Sequence, residues 1–194
     1  IVPVHVYGYI CDYQEIERIA RKHNLAVIYD AAHAFGESID GVPVGTLGDM
    51  SMFSFHATKV FNTIEGGGVT FSDEQYRKEF AAIRQFGMYG KEDAEMLGTN
   101  AKMTEFHAAM GLCNLRHVDE EIEKRKQAYD QYVQRLGKVD GIYIYHIPDN
   151  LKLNYAYFPV RISKNVFGKS RDEITEILLE NGIAPRKYFY PLTS

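Results

Sequence analysis

Cysteine is scarce: only Cys11 and Cys113 occur in 194 residues, far apart and in no CxxC spacing. That excludes a disulfide framework and a zinc knuckle, and makes a reducing, cytoplasmic compartment the default expectation. Long apolar runs are missing too. None approaches the ~20 residues needed to cross a bilayer, so no membrane partner is expected. Positive charge is not in excess, since 22 Lys and Arg stand against 26 Asp and Glu for a net charge of −4, and nothing advertises a nucleic acid. The chain opens Ile1-Val2-Pro3-Val4-His5-Val6 with no initiator Met, no basic segment and no small-residue cleavage site. This reads as an interior strand and not a signal peptide, so the natural N-terminus is expected to lie elsewhere. What is present is ordinary for a globular protein: 45% apolar and 25% charged residues, which exclude a disordered or collagenous chain. The length allows one domain or parts of two, with a core that needs no covalent staples.

Ile1 to Tyr7 predicts a buried strand ended by Gly8. Asp12 with Glu15 predicts an N-cap for a helix to about His23, with Ile16, Ile19 and Ala20 as its apolar stripe. Leu25 to Tyr29 predicts a second strand with Asp30 at its carboxyl end, completing a βαβ unit. A turn-rich connection through Gly36, Gly41, Pro43, Gly45 and Gly48 leads to a strand over Met50 to Phe55. Gly66-Gly67-Gly68 then introduces a strand over Val69 to Phe71. Ser72 to Gln75 predicts a capping box for a helix to about Phe86, and 87–103 reads as a long loop, a feature that is usually functional. Glu105 to about Val118 predicts a helix with Phe106, Ala109, Met110 and Cys113 inward, followed by a charged helix to about Leu136. Strands over 142–147 and 156–162 follow, then a capped helix from Ser170 to Asn181 stopped by Gly182. The expected organisation is an α/β portion over 1–118, a bridging helix over 119–137 and a smaller α+β piece over 138–194.

Asp30 sits where open parallel sheets place ligand-binding groups, although a turn or N-cap Asp gives the same pattern. Asp30-Ala31-Ala32-His33 contains half of a metal site, but no second His or carboxylate at ligand spacing supports it, and no metal is expected. Lys59 follows an apolar strand and precedes a glycine-rich turn; partial desolvation there would free its amine as a nucleophile. Taken alone, a snorkelling surface lysine is the commoner fate. A Walker A loop is excluded because the glycines follow the lysine and no GxxxxGK[ST] occurs. The three glycines themselves fit either a turn leading into a strand or a close backbone approach to a cofactor. Lys124-Arg125-Lys126, flanked by glutamates, reads as a solvated helix face.

Taken in order, Asp30-Ala31-Ala32-His33-Ala34-Phe35-Gly36, Gly48-Asp49, Phe53-Ser54-Phe55-His56-Ala57-Thr58-Lys59, Glu65-Gly66-Gly67-Gly68, the stretch from Gly98 to Leu112 and finally Tyr190-Pro191-Leu192 resemble the DegT/DnrJ/EryC1/StrS family. These are pyridoxal-phosphate-dependent sugar aminotransferases. The resemblance implies a fold of the aspartate-aminotransferase type (fold type I): part of an α/β large domain with a mostly parallel sheet, plus part of a small α+β C-terminal domain. It implies that Lys59 is the Schiff-base lysine and that Asp30 partners the pyridinium nitrogen, keeping it protonated. His33 stands where the family usually has Gln near the phenolic oxygen, and its tautomer is open. Ser54 matches a serine that binds the cofactor phosphate, and Asn100 an asparagine that reaches that phosphate from the neighbouring subunit of a homodimer. Ala101-Lys102 and Thr193 depart from the family's Tyr-Arg and His. The family's phosphate loop and stacking aromatic are expected before Ile1, and more of the C-terminal domain after Ser194.

The activity implied by the resemblance is amino transfer, from glutamate or a similar donor, to a keto-sugar nucleotide in deoxysugar and polysaccharide biosynthesis. The wordings DAAHAFG and FHAAMGLCNL are most like enzymes acting on dTDP-4-keto-6-deoxyglucose at C4. A dehydratase of the same family would carry His in place of Lys59. The remaining alternative is a non-catalytic cofactor-binding or interaction fragment that lacks the phosphate loop.

Overall fold

The computed structural model describes residues 1–90 and 93–190. They fall into two units, one of Ile1–Ala128 with Ile147–Phe158, the other of Tyr129–His146 with the residues from Pro159 onward. The first unit is built on a sheet of β1 (Ile28–Asp30), β4 (Met50–Ser54) and β5 (Gly67–Phe71) in the order β1-β4-β5. β1 and β4 run parallel with Asp30 opposite Met52; β5 returns antiparallel, with Ser54 opposite Gly67. Ile1–His5 lies along the other edge of β1 in parallel, accepting hydrogen bonds from Ile28 N–H at Ile1 O and from Asp30 N–H at Pro3 O, and donating one back from His5 N–H to Asp30 O. The strand expected to reach Tyr7 stops earlier. Pro3 has no N–H to give, and Tyr7 adopts φ 60° inside a 3₁₀ turn over Val6–Gly8. The α/β fold with a parallel-containing sheet is as the sequence predicts.

Helix α1 (Tyr13–His23) crosses from that first segment to β1, and Asp12 Oδ1 caps it by accepting Glu15 N–H at 3.1 Å. Ala20 packs with Val27, Tyr29 and Leu47, joined by Ile10 and Ile16, to form one core; Ala31, Ala34 and Val44 form a second under β1 and β4. Ile19, expected in the buried stripe, is left exposed. The connection read as turns alone contains a hairpin of β2 (Ser38–Ile39) and β3 (Val42–Pro43). Its turn is Asp40-Gly41 with φ of 51° and 77°, a sequence whose residues tolerate positive φ. A later strand, β7 (Leu151–Lys152), pairs antiparallel with β2 and so binds residues 147–158 into the first unit.

Helix α2 (Gln75–Ile83) starts later than predicted. Asp73, not Ser72, receives the Gln75 N–H, at 2.9 Å, and Glu74 is an N-cap without a side-chain bond. Helix α3 (Glu105–Leu115) is capped by Thr104, but its predicted inward face is not buried: Phe106 is 88% exposed and Ala109, Met110 and Cys113 are exposed as well. The buried position is Gly111, where a Cβ would come within 2.8 Å of Thr63 Cγ2, so α3 is seated through its glycine. Helix α4 (Val118–Leu136) follows, with Lys124 paired to Glu120 and Glu121 at 2.9 Å on its solvated side.

In the second unit β6 (Ile142–Ile144) pairs antiparallel with β8 (Val160–Ile162). The short α5 (Lys164–Phe167) and α6 (Arg171–Glu180) complete it. The capping box predicted at Ser170 is present in both directions: Glu173 N to Ser170 Oγ at 3.2 Å, and Ser170 N to Glu173 Oε2 at 2.7 Å.

Candidate functional site

Asp30 ends β1, half-buried, with its backbone fixed on both sides: its N–H goes to Pro3, its carbonyl receives His5, and the next N–H, of Ala31, goes to Met52 O at 2.8 Å. The carboxylate turns back only far enough for Oδ1 to accept Ala32 N–H at 3.0 Å. A single acceptor bond leaves lone pairs available to a further donor.

His33 follows one turn later. Its Nδ1 accepts the backbone N–H of Tyr7 at 2.9 Å, so the proton of the neutral ring sits on Nε2, which settles the tautomer that the sequence leaves open. Burial pulls the His33 pKa below the ordinary histidine value; the charge of Lys59 lowers it further and that of Asp30 opposes both. His33 is therefore a neutral N–H donor at pH 7, and it lies within electrostatic reach of both other groups.

Lys59 leaves β4 through a tight turn in which its N–H bonds His56 O at 2.9 Å, and His56 Nδ1 meets Thr58 Oγ1 at 3.0 Å. The lysine is half-buried, and Nζ donates to the hydroxyl of Tyr157 at 3.4 Å. Tyr157 was not singled out by sequence: it is one of 14 tyrosines and lies 98 positions from Lys59. Its ring tilts over His33 with centroids 4.5 Å apart, and over Tyr7 at 5.6 Å.

Ser54 closes β4 and its Oγ accepts His56 N–H at 3.4 Å. It lines a cavity of about 680 Å³ with Gly66, Gly67, Arg77 and Arg84, which does not include Asp30, His33 or Lys59. The glycine run has its reason inside the chain. A Cβ on Gly66 would overlap Thr63 Oγ1, one on Gly67 would lie 3.0 Å from Phe53 O, and one on Gly68 3.0 Å from the Phe55 ring. These contacts favour the simple turn into β5 over an approach to a ligand. Asn100 makes no contact with Asp30, His33 or Lys59 among the described residues. It is exposed, bridges to Gln85, and its Oδ1 accepts from Lys102 Nζ, which also lies 4.4 Å over the Phe86 ring. Pro191, Leu192 and Thr193 lie outside the described residues.

The structure thus brings together Asp30, His33 and Lys59, with Tyr157 added. Among the described residues no three His, Cys, Asp or Glu side chains are placed to hold a metal ion, and no helix is long and apolar enough to cross a membrane. An amine, a carboxylate and a neutral N–H donor in one neighbourhood are the chemical complement of pyridoxal phosphate, whose aldehyde, ring nitrogen and phenolic oxygen call for those groups.

A dTDP-4-amino-4,6-dideoxy-D-glucose transaminase of Shigella dysenteriae is 43% identical over 193 residues, covering 99% of this chain and 52% of that protein. The crystal structure of DesI in the presence of its TDP-sugar product is similar with a TM-score of 0.91 at 36% identity, over 97% of this chain and 48% of that one. The PLP-form of Spr1654 from Streptococcus pneumoniae gives 0.89 at 27% identity, over 100% and 56%. The chain spans about half the length of the curated relatives it matches. Residues 1–194 match throughout the family described as DegT/DnrJ/EryC1/StrS aminotransferases, and to that family this chain belongs.

Proposed function

We infer that the whole protein is a pyridoxal-phosphate-dependent aminotransferase. It moves an amino group from glutamate or a similar donor to a keto-deoxysugar nucleotide, dTDP-4-keto-6-deoxyglucose at C4. The observation that carries this reading is the convergence of Lys59 and Asp30 on a neutral His33. The relative named as a dTDP-4-amino-4,6-dideoxy-D-glucose transaminase and the structure holding a TDP-sugar product support the substrate class.

When bound, pyridoxal phosphate supplies an electron sink that makes the hydrogen on the amine-bearing carbon removable. Lys59 Nζ would hold the cofactor covalently and, when its amine is free, would serve as the base that takes up that hydrogen as a proton and gives it back. Asp30 keeps the proton on the pyridine nitrogen because a carboxylate beside it favours the charged form. His33 donates from Nε2 to the phenolic oxygen without adding a positive charge next to Lys59. Ser54 binds the phosphate, and Asn100 reaches it from the second subunit of a cytoplasmic homodimer.

Borohydride reduction of the full-length protein with pyridoxal phosphate, followed by peptide mass analysis, tests the reading. The adduct is expected on Lys59 and is lost in Lys59→Arg, since a guanidinium neither forms the bond nor readily gives up a proton. Turnover of glutamate with the keto-sugar nucleotide should disappear in the same variant. An adduct on a different lysine, or none, refutes the assignment.

A further inference from the structure

Residues 147–158 enter the first unit through β7, and three residues later Asn154 is almost completely enclosed. Each polar atom of its side chain is used: Nδ2 donates to His33 O at 2.9 Å and to Phe35 O at 3.1 Å, and Oδ1 accepts Ala156 N–H at 2.9 Å. Its own N–H goes to the buried Glu37 Oε1 at 3.1 Å. Asn154 therefore ties this segment to the backbone carbonyls of His33 and Phe35, and His33 is the ring on which the charges of Asp30 and Lys59 both act. Tyr157 lies three residues further on, its ring held against His33 and Tyr7, and the hydroxyl arrives at Lys59 Nζ. Packing alone would be served equally well by phenylalanine; the hydroxyl is the part that packing does not explain.

We propose that Tyr157 is a further residue of the Lys59 centre, whose phenol pairs with the lysine amine and sets its reactivity. A phenol both donates and accepts, so it can follow the amine through both of its states. When Nζ carries a proton it donates one N–H to the phenol oxygen, the bond present here; when Nζ is neutral, the phenol O–H turns to donate to the nitrogen lone pair. No proton is transferred to or from Tyr157 in either case. The consequence is an amine kept in one position while its charge changes, without a second charged group beside it. The catalytic meaning of this pairing rests on the aminotransferase reading above, whereas the pairing itself does not.

The test uses the full-length protein and begins without cofactor. Acetic anhydride labelling at pH 8, read by mass spectrometry, compares Lys59 with exposed lysines such as Lys22 in wild type and Tyr157→Phe. The bond to the charged amine is the stronger of the two, so losing both should leave more of the amine neutral, and Lys59 is expected to react about 3- to 10-fold faster in the variant while Lys22 stays unchanged. A purely structural tyrosine predicts no difference, since the ring contacts are retained. The reciprocal measurement needs no tyrosine variant: in Lys59→Met the Tyr157 phenol, followed by its ring-carbon resonance, should ionise at higher pH. With pyridoxal phosphate bound, the glutamate half-reaction of Tyr157→Phe should slow about 10-fold with KM for glutamate within 2-fold. Unchanged labelling together with an unchanged phenol titration overturns the proposal, even if the wild type bonds cofactor at Lys59. Faster labelling in a protein that never bonds pyridoxal phosphate upholds the pairing and overturns the aminotransferase reading instead.

Discussion

Replacing Glu37 with glutamine should stabilise the protein, and increasingly so as the pH rises. Glu37 is 3% exposed, accepts one hydrogen bond from Asn154 N–H, and has an Oε2 with no partner among the described residues. It is pressed against Gly8, where φ is +87° and an added Cβ would overlap Oε1. Burial raises its pKa from 4.5 to about 9, opposed only in part by the Asn154 bond, so the folded protein carries the neutral acid at pH 7. The unfolded chain ionises from about 4.5 upward. The stability tied to this group is thus fully present below 4.5 and drains away as the pH climbs toward about 9. At about 1.36 kcal/mol per pH unit, the loss at pH 7.5 is on the order of 4 kcal/mol. Glutamine keeps the shape and the acceptor and never ionises, so the difference between variant and wild type isolates this one titration. Calorimetric melts at intervals from pH 4.5 to 9.5 should show the two proteins together at the acid end. They should separate by about 10 °C near pH 7.5, given roughly 2–4 °C per kcal/mol for a chain of this size, and stop diverging above about pH 9. Melting curves that stay parallel across this range would show that Glu37 is ionised in the folded protein, and the burial reasoning would be wrong.

Legibility in the sequence followed the range of the interaction. The caps at Asp12 and Ser170 depend on groups three residues apart and were readable directly, as was Asp30 at the end of a strand in a βαβ pattern. Lys59 stood out by its position between an apolar strand and glycines, and the family resemblance gave its position a chemical meaning. Periodicity failed at α3 because it reports which residues share a face and not whether anything covers that face; Phe106 and Met110 are apolar and exposed, while the buried contact is made by Gly111. The β2–β3 hairpin carried its signal in Asp40-Gly41, but strands of two residues are too short to show alternation. The tautomer of His33 depends on a main-chain N–H, of Tyr7, that has no residue code. Nothing local marks Tyr157, Asn154 or Glu37 either, since their contacts join positions 98 to 121 apart and exist only once β7 has paired with β2.

Two further outcomes bear on the site. Asp30→Asn should keep the fold and cofactor uptake while turnover falls roughly 10²- to 10³-fold, the scale of one preorganised electrostatic contact to developing charge; near-normal turnover would remove Asp30 from the electron-sink role. Asn100 is exposed and makes no contact with Asp30, His33 or Lys59 among the described residues, which is what a residue serving the other subunit's site requires. In a two-fold dimer the loop carrying it is presented reciprocally, so one substitution impairs both sites alike. Mixing Asn100→Ala with Lys59→Ala subunits separates the possibilities. If Asn100 acts across the interface, one site of each mixed dimer pairs an intact Lys59 with an intact Asn100 from the other chain, and activity returns in part. If Asn100 acts within its own chain, each site of the mixed dimer keeps one defect. A mixture shown to exchange subunits that stays as inactive as its parents therefore refutes the assignment in trans.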